Sequence, residues 1–344
     1  MNEKSPLKIL LSVVDPSRKN PLPPEEWIHD KNVFQPAMEL AIKNGLHYKF
    51  ISTLLEKGHS LPWYNPEKWS EDQANITKIS ETIALLEKVL PEHHIGYIII
   101  KIFNTVPHSP NDIDLFVKNS DREKVLSILE ANGMKPLHSS IAETKMIGSY
   151  AKTDIYTEIS YLGIEFLDKD FLLGSGTENT FFGRKYPALN NESDLLMLVP
   201  HYLFGHGRIT LLDFLHLKNR IEHSDIEFCR RYAEQKGWLY VFDATLDLIK
   251  TMDKKIQSDD IDFQFPYRFN RIFITRCISE LPQLHMNLTE KVFMHGSFLL
   301  EDIVYSLENT FLYTWVKSIS PLRNLINSVS AFFKTMRGDR KSSD

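Results

Sequence analysis

Residues 95–117 read IGYIIIKIFNTVPHSPNDIDLFV, and the fold turns on them. Tyr97–Ile102 is apolar and rich in β-branched residues, which predicts a strand. Thr105–Asn111 carries Pro107 and Pro110 and reads as a loop. Asp112-Ile113-Asp114-Leu115 then alternates acidic and apolar residues ahead of Phe116-Val117. Strand side chains alternate between faces, so Asp112 and Asp114 share one face while Ile113 and Leu115 pack on the other. Two carboxylates side by side repel, and a divalent metal ion is the commonest strong counter-charge. Mg²⁺ favours one or two carboxylates together with substrate phosphates, the arrangement that phosphoryl and nucleotidyl transfer need.

The flanking segments frame this stretch. Ahead of it, residues 33–60 show apolar positions at helical spacing, with Gly45 dividing two helices and Gly58 ending the second. Residues 72–90 predict a further amphipathic helix, carrying Ile76, Ile79, Ile83, Leu86 and Leu90 on one face and stopped by Pro91. After it, Asp121–Asn132 predicts a helix, with Ser120 and Glu123 as a capping box and Gly133 at its end. Lys135–Lys145 and Ile147–Leu162 follow as extended segments. In the second, Asp154 and Glu158 share a face with Tyr156.

At these residues the chain resembles the nucleotidyltransferase superfamily of the polymerase-β type, and most of all its uncharacterised bacterial and archaeal nucleotidyltransferase branch. That branch has a strand ending in Leu-Lys-Gly, a short loop with prolines, and a strand of the form Gly/Asn-Asp-hydrophobic-Asp-hydrophobic. Ile100-Lys101-Ile102 stands at the first motif and Asn111-Asp112-Ile113-Asp114-Leu115 at the second. The resemblance covers roughly residues 30–220. It implies that Asp112 and Asp114 hold Mg²⁺, with Mn²⁺ as a substitute, and that Asp154 is the third metal ligand and helps deprotonate the acceptor. Glu158 is the alternative if the register is shifted by two. It further implies that Lys101 steadies the triphosphate of an NTP, and Asn111 and Arg208 are candidate contacts to the nucleotide. Two positions depart from the pattern. Tyr156 stands where a His is frequent, and Ile102 replaces the glycine that lets the backbone approach the phosphates. An isoleucine side chain is expected to crowd that place.

The rest of the chain predicts helices. Residues 165–190 read as irregular, and Gly174-Ser175-Gly176-Thr177 as a simple loop without the Lys-Ser/Thr of a phosphate loop. Asn191–Asp194 caps a helix that leads through His201 and His206 into a Leu-rich helix containing Asp213. His201 and His206 are five apart, not the three or four that align ligands on one α-helix face, so they read as a packed pair rather than a zinc site. Residues 225–316 are helical by pattern, with breaks near 257–266 and Pro282. Pro321–Arg340 predicts an amphipathic helix with basic residues at its end, suited to docking on its own domain, on a partner, or on an anionic membrane surface.

The 344 residues suffice for two domains, and 42% hydrophobic with 25% charged residues describes an ordinary globular chain. The net charge of −5 argues against a general nucleic-acid binder, although an RNA end stays open as an acceptor. Cys229 and Cys277 read as buried free thiols. The opening MNEKSPLKILLSVV has too short an apolar run for a signal peptide, and no stretch approaches the roughly 20 apolar residues of a membrane span. A cytoplasmic location is the expectation.

The expected fold is α+β: a nucleotidyltransferase-like small mixed β-sheet with flanking helices, plus an α-helical C-terminal domain. The expected division is an N-terminal helical region (1–92), the α/β core (93–172), a helical domain (173–320), and the basic C-terminal helix and tail (321–344). The expected activity is Mg²⁺-dependent transfer of an NMP from NTP to a hydroxyl or phosphate acceptor. The rival is a catalytically inactive binding or scaffold protein on the same fold, which Ile102 favours.

Overall fold

The computed structural model describes residues 5–15, 22–102, 105–139, 143–161, 164–258, 260–261 and 263–281. The helix expected at Pro321–Arg340 lies outside them, as does everything after residue 281.

Five helices precede the first strand: α1 (Pro6–Val14), α2 (Glu25–His29), α3 (Lys31–Lys43), α4 (His47–Glu56) and α5 (Pro66–Glu92). Gly45 divides α3 from α4, as its left-handed φ of 71° requires. Helix α5 starts earlier than the apolar stripe suggests. Asn65 accepts a hydrogen bond from the Lys68 amide, and Pro66 occupies the first turn, where its missing N–H costs nothing. Pro91 does not stop the helix but lies within its final turn.

Strands β1 (Tyr97–Ile100) and β2 (Asp112–Val117) pair antiparallel, with Ile100 opposite Asp114. A 3₁₀ turn at Asn119–Asp121 leads into α6 (Arg122–Ala131). Ser120 lies inside that turn, so the expected capping box is replaced by Asp121 at the N-cap without a side-chain hydrogen bond. The two extended segments after α6 are three strands: β3 (Met134–Ser139), β4 (Glu143–Gly148) and β5 (Lys152–Tyr156). Short strands β6 (Ser160–Tyr161) and β7 (Ile164–Glu165) pair with each other.

The stretch expected to be irregular is ordered. It forms α7 (Lys169–Gly174) and the hairpin β8 (Gly176–Phe181) and β9 (Arg184–Leu189), turned at Phe182-Gly183. Strand β9 joins β1 in parallel, so the sheet continues past residue 172 and has seven strands in the order β3-β4-β5-β2-β1-β9-β8. These strands carry polar residues facing outward, which hides them from an apolar-run reading.

Helix α8 (Asn191–Pro200), a π-helical segment (His201–His206), β10 (Arg208–Ile209) and α9 (Leu211–His223) follow. Then come α10 (Ile226–Gln235), α11 (Leu239–Gln257), β11 (Tyr267–Arg268) and α12 (Arg271–Ser279). Thr210 and Asp213 form a reciprocal capping box at the start of α9.

Two apolar cores lie on the two sides of the sheet. Ile99, Ile113, Leu115 and Ile155 pack with α5 and α6. Ile98, Ile100 and Phe116, on the other face, pack with α8, α9, α11 and the N-terminal helices α1, α3 and α4. The N-terminal helices thus divide their loyalty: α5 backs the sheet, and the others join the helical core. Asn44 secures that join by accepting the Leu211 amide at 2.9 Å. Cys229 and Cys277 are free and buried, as expected. Among the described residues no helix is long and apolar enough to cross a membrane.

Candidate active site

Strand register decides which polar side chains meet. Strands β2 and β5 run parallel, with Asp112 opposite Lys152 and Asp114 opposite Asp154. Strands β4 and β5 run antiparallel, with Lys145 opposite Asp154 and Glu143 opposite Tyr156. Alternation carries all of these to one face, the face turned toward α8 and the π-helical segment. The three aspartates therefore come together, although β2 and β5 are separated by a helix and a hairpin in sequence. Glu158, the alternative third carboxylate, lies beyond the end of β5 and bonds Ser160 Oγ at 2.8 Å and Lys169 at 3.5 Å.

Each aspartate holds at least one lysine. Lys101 Nζ donates to Asp114 Oδ1 at 2.6 Å. Lys152 Nζ reaches Asp112 Oδ2 at 2.8 Å and Asp154 Oδ2 at 3.3 Å. Lys145 Nζ reaches Asp154 Oδ2 at 3.0 Å and Glu143 Oε1 at 2.8 Å. Lys145 and Lys152 were not legible as site residues, because their role depends on strand pairing. The available signal is Lys152-x-Asp154, whose members share a strand face.

Lys101 has a left-handed backbone, φ 61°, uncommon for a residue with a side chain. This ends β1 two residues before the expected Ile102 and turns the ammonium toward Asp114. Its Nζ lies 4.6 Å from the centroid of the Tyr156 ring, and the Tyr156 hydroxyl donates to Glu143 at 3.2 Å. Tyr156, where the resembling branch often has His, thus supports the lysine with its ring face. Ile102 corrects an expectation. Its side chain is buried in the core shared with α5 and α6, on the far side from the aspartates, and its carbonyl accepts the Tyr186 hydroxyl at 3.2 Å. It does not project into the carboxylate cluster.

Burial pushes the Asp114 carboxyl above its usual range; Lys101 opposes this, and the neighbouring charges of Asp112 and Asp154 add to it. Burial also works against the charge on Lys145, yet its bonds to Glu143 and Asp154 hold its pKa above the ordinary value. A hard divalent cation suits this donor set by chemistry: three carboxylates on one face, with Asp154 Oδ1 buried and lacking a hydrogen-bond partner. With the lysines drawn in among them, no group of three or more His, Cys, Asp or Glu side chains among the described residues is drawn together as a metal cluster. The residue types fit the cation; the ammoniums hold the carboxylates instead.

The π-helical segment forms the opposite wall. His206 lies five positions after His201, and a π-helix closes its hydrogen bonds at i to i+5. The spacing that would part them on an α-helix here brings their rings edge to face at 4.4 Å. His201 Nδ1 meets the Tyr161 hydroxyl at 2.8 Å. Burial, together with the charges of Lys101 and His206, holds the His201 imidazole well below its ordinary pKa. His206 is exposed, and the charges of Asp213, Lys101, Arg208 and Asp112 all act on it. Arg208 is exposed beside it and makes no ion pair among the described residues; Asp213 turns to Thr210 instead. Asn111 is exposed at the entry to β2.

A second polar chain escaped the sequence reading. Thr105 Oγ1 meets His216 Nδ1 at 2.8 Å, His216 Nε2 meets Asp194 Oδ2 at 2.8 Å, and Arg220 Nε donates to the same oxygen at 2.7 Å. Asp194 read as part of a helix cap, and His216 was not singled out in the Leu-rich helix. The chain ties the loop between β1 and β2 to α8 and α9. Ser109, further along the loop, donates to the Asp72 carbonyl of α5 at 3.2 Å. The loop beside the carboxylates is thereby held from both cores.

No protein-family model and no curated protein matches the chain. Among solved structures it is similar to the lincosamide antibiotic adenylyltransferase LnuA with lincomycin bound, at 18% identity over 42% of this chain and 97% of that one, with a TM-score of 0.32. It is also similar to the antibiotic-resistance factor ANT(2'')-Ia, at 14% identity over 53% of this chain and 98% of that one, with a TM-score of 0.34. Overlaps this loose assign no function.

Proposed function

We propose that this protein is a metal-dependent nucleotidyltransferase, moving a nucleoside monophosphate from an NTP to a hydroxyl or phosphate acceptor. The observation that carries the reading is the meeting of Asp112, Asp114 and Asp154 on one face of two parallel strands, beside Lys101 and facing the π-helical wall. Asp112, Asp114 and Asp154 would hold the cation, Mg²⁺ by preference and Mn²⁺ as a substitute. When bound, that cation neutralises phosphate charge and activates the attacking oxygen.

The chain's own residues account for the rest. Lys101 steadies the triphosphate, its ammonium already positioned by Tyr156 and Asp114. Arg208 and Asn111 are both exposed and would contact the nucleotide. The acceptor oxygen attacks the α-phosphorus, the bond from that phosphorus to the bridging oxygen breaks, and pyrophosphate leaves with the displaced electron pair. Asp154 assists by taking the acceptor's proton. Sugars, antibiotics, protein hydroxyls and RNA ends are the acceptor classes, the last disfavoured by net charge. The cytoplasm, where NTPs are found, is the proposed location.

The rival reading is a non-catalytic binding protein on the same fold. Ile102 no longer favours it, but the pairing of every aspartate with a lysine does. Calorimetric titration with each of the four NTPs, with and without Mg²⁺, separates the two. Metal-dependent binding that Asp112→Asn/Asp114→Asn loses supports the enzyme. Absence of binding to all four, or binding indifferent to the metal and to both aspartates, leaves the binding protein.

A further inference from the structure

The geometry points to Lys152, assisted by Lys145, as a built-in occupant of the cation's place that turns into a phosphate ligand when the cation arrives. The inference rests on the metal and nucleotide reading above. Its consequence is that metal and nucleotide bind as a unit, each weakly without the other.

Register supplies the first argument. Lys152 is the direct strand partner of Asp112 and precedes Asp154 by one same-face step, so a single ammonium spans carboxylates from two strands. That bridging position is where a cation shared by Asp112 and Asp154 would lie. Exposure supplies the second. The Lys152 and Lys145 side chains are 35% and 31% exposed, against 13% for Lys101. Their heads can swing outward on flexible stems without opening a cavity, whereas Lys101 is held against the Tyr156 ring.

Satisfaction of the acceptors supplies the third. Two ammoniums converge on Asp154 Oδ2, yet Oδ1 of the same carboxylate is buried and unpartnered. Lysine satisfies this carboxylate incompletely, and a cation that takes several oxygens does so better. Charge supplies the fourth. Asp112, Asp114, Glu143 and Asp154 face Lys101, Lys145 and Lys152, four negative groups against three positive. A divalent cation alone leaves a surplus of positive charge in a partly buried site, and a triphosphate alone a surplus of negative charge. Brought in with the triphosphate, the cation removes part of the negative surplus that the triphosphate alone would add, and the released ammoniums turn to the phosphates.

The test uses the full chain, with Mn²⁺ alone as the first probe, followed by the spin-resonance signal of the free ion, and then Mn²⁺ with ATP. In the wild type, ATP should tighten Mn²⁺ binding at least about tenfold beyond the loss of free ion that ATP causes without protein. Lys152→Met should bind Mn²⁺ alone at least about tenfold more tightly than the wild type and lose most of the ATP effect. Lys152→Arg, which keeps the charge, should behave like the wild type. Lys145→Met should move Mn²⁺ affinity the same way by less, and it serves as the second variant if thermal melts show Lys152→Met to be misfolded. Equal Mn²⁺ affinity in the wild type and both methionine variants overturns the inference alone, provided Asp112→Asn/Asp114→Asn abolishes the binding. Binding of neither Mn²⁺ nor ATP by any of these proteins, or binding unaffected by the aspartate double variant, overturns the nucleotidyltransferase reading and this inference with it.

Discussion

Asp114 and Asp154 are register partners on adjacent parallel strands, so their carboxylates lie side by side on the same face of the sheet. Neither would be stable there without cations. Removing the charge of Asp154 strands Lys145 and Lys152, which lose a shared acceptor. Asp154→Asn is expected to abolish metal-dependent NTP binding. It should cost only about 1 kcal/mol of stability, since both lysines are partly exposed and retain Glu143 and Asp112. Calorimetry and urea unfolding check the two halves. Retained NTP affinity in this variant would remove Asp154 from the site.

Ile102 offers a test of direction. Its side chain belongs to the core behind the sheet, not to the carboxylate face. Ile102→Gly, which restores the glycine of the resembling branch, is therefore expected to destabilise the fold by about 3–5 kcal/mol through the cavity and the added backbone freedom. It should not raise NTP affinity. A variant that binds NTP more tightly at unchanged stability would show that the side chain crowds the phosphates after all.

Asp194 accepts hydrogen bonds in a buried position from both Arg220 and His216. Asp194→Ala takes from Arg220 and His216 the carboxylate they share and frees the end of the chain that reaches Thr105. The expected loss is about 3–5 kcal/mol in urea unfolding, the range for breaking a buried pair from one side. His216→Gln should cost less, because Arg220 keeps its partner. Equal costs for the two would mean that the imidazole, not the ion pair, carries the join.

Stability should also fall on the acid side of neutrality. Burial, aided by Lys101, holds His201 well below its ordinary pKa; burial also lowers His216, against the pull of Asp194. Unfolding returns both to about 6.5. Above that value neither state is protonated, and their contribution is fully present. As pH falls below it, the unfolded chain takes up protons that the folded chain refuses, so stability is lost down to the depressed folded values. The slope is at most about 1.4 kcal/mol per pH unit for each group. Unfolding curves between about pH 7.5 and 5 should show it, and His201→Gln should remove its share. A flat profile would contradict neutral, buried imidazoles.

The sequence carried more of the fold than of the site. Helical stripes, the divider at Gly45 and the acidic alternation of β2 were all legible. So was the convergence of Asp114 with Asp154, through the family resemblance. The hairpin β8–β9 was not, because its edge strand β8 is mostly polar and β9 finds its place only by pairing with the distant β1. Lys145 and Lys152 were not, because a lysine on a strand says nothing until its neighbour is known. The histidine pair was legible as a packed pair, but not the π-helix that packs it, because α-helical spacing would part the two rings.

By itself, the sequence determined what depends on neighbours along the chain: most of the helices, the strands that flank the proline loop, and that Asp112 and Asp114 share a face. Those features follow from periods of 3.6 and 2 and from local hydrogen bonds. Only the tertiary structure decided what lies beside what: Lys152 against Asp112, Ile102 in the rear core, His216 under the Thr105 loop. Strand register and helix docking are set by burying two separate apolar faces at once. That condition involves residues far apart in the chain, and no local pattern records it.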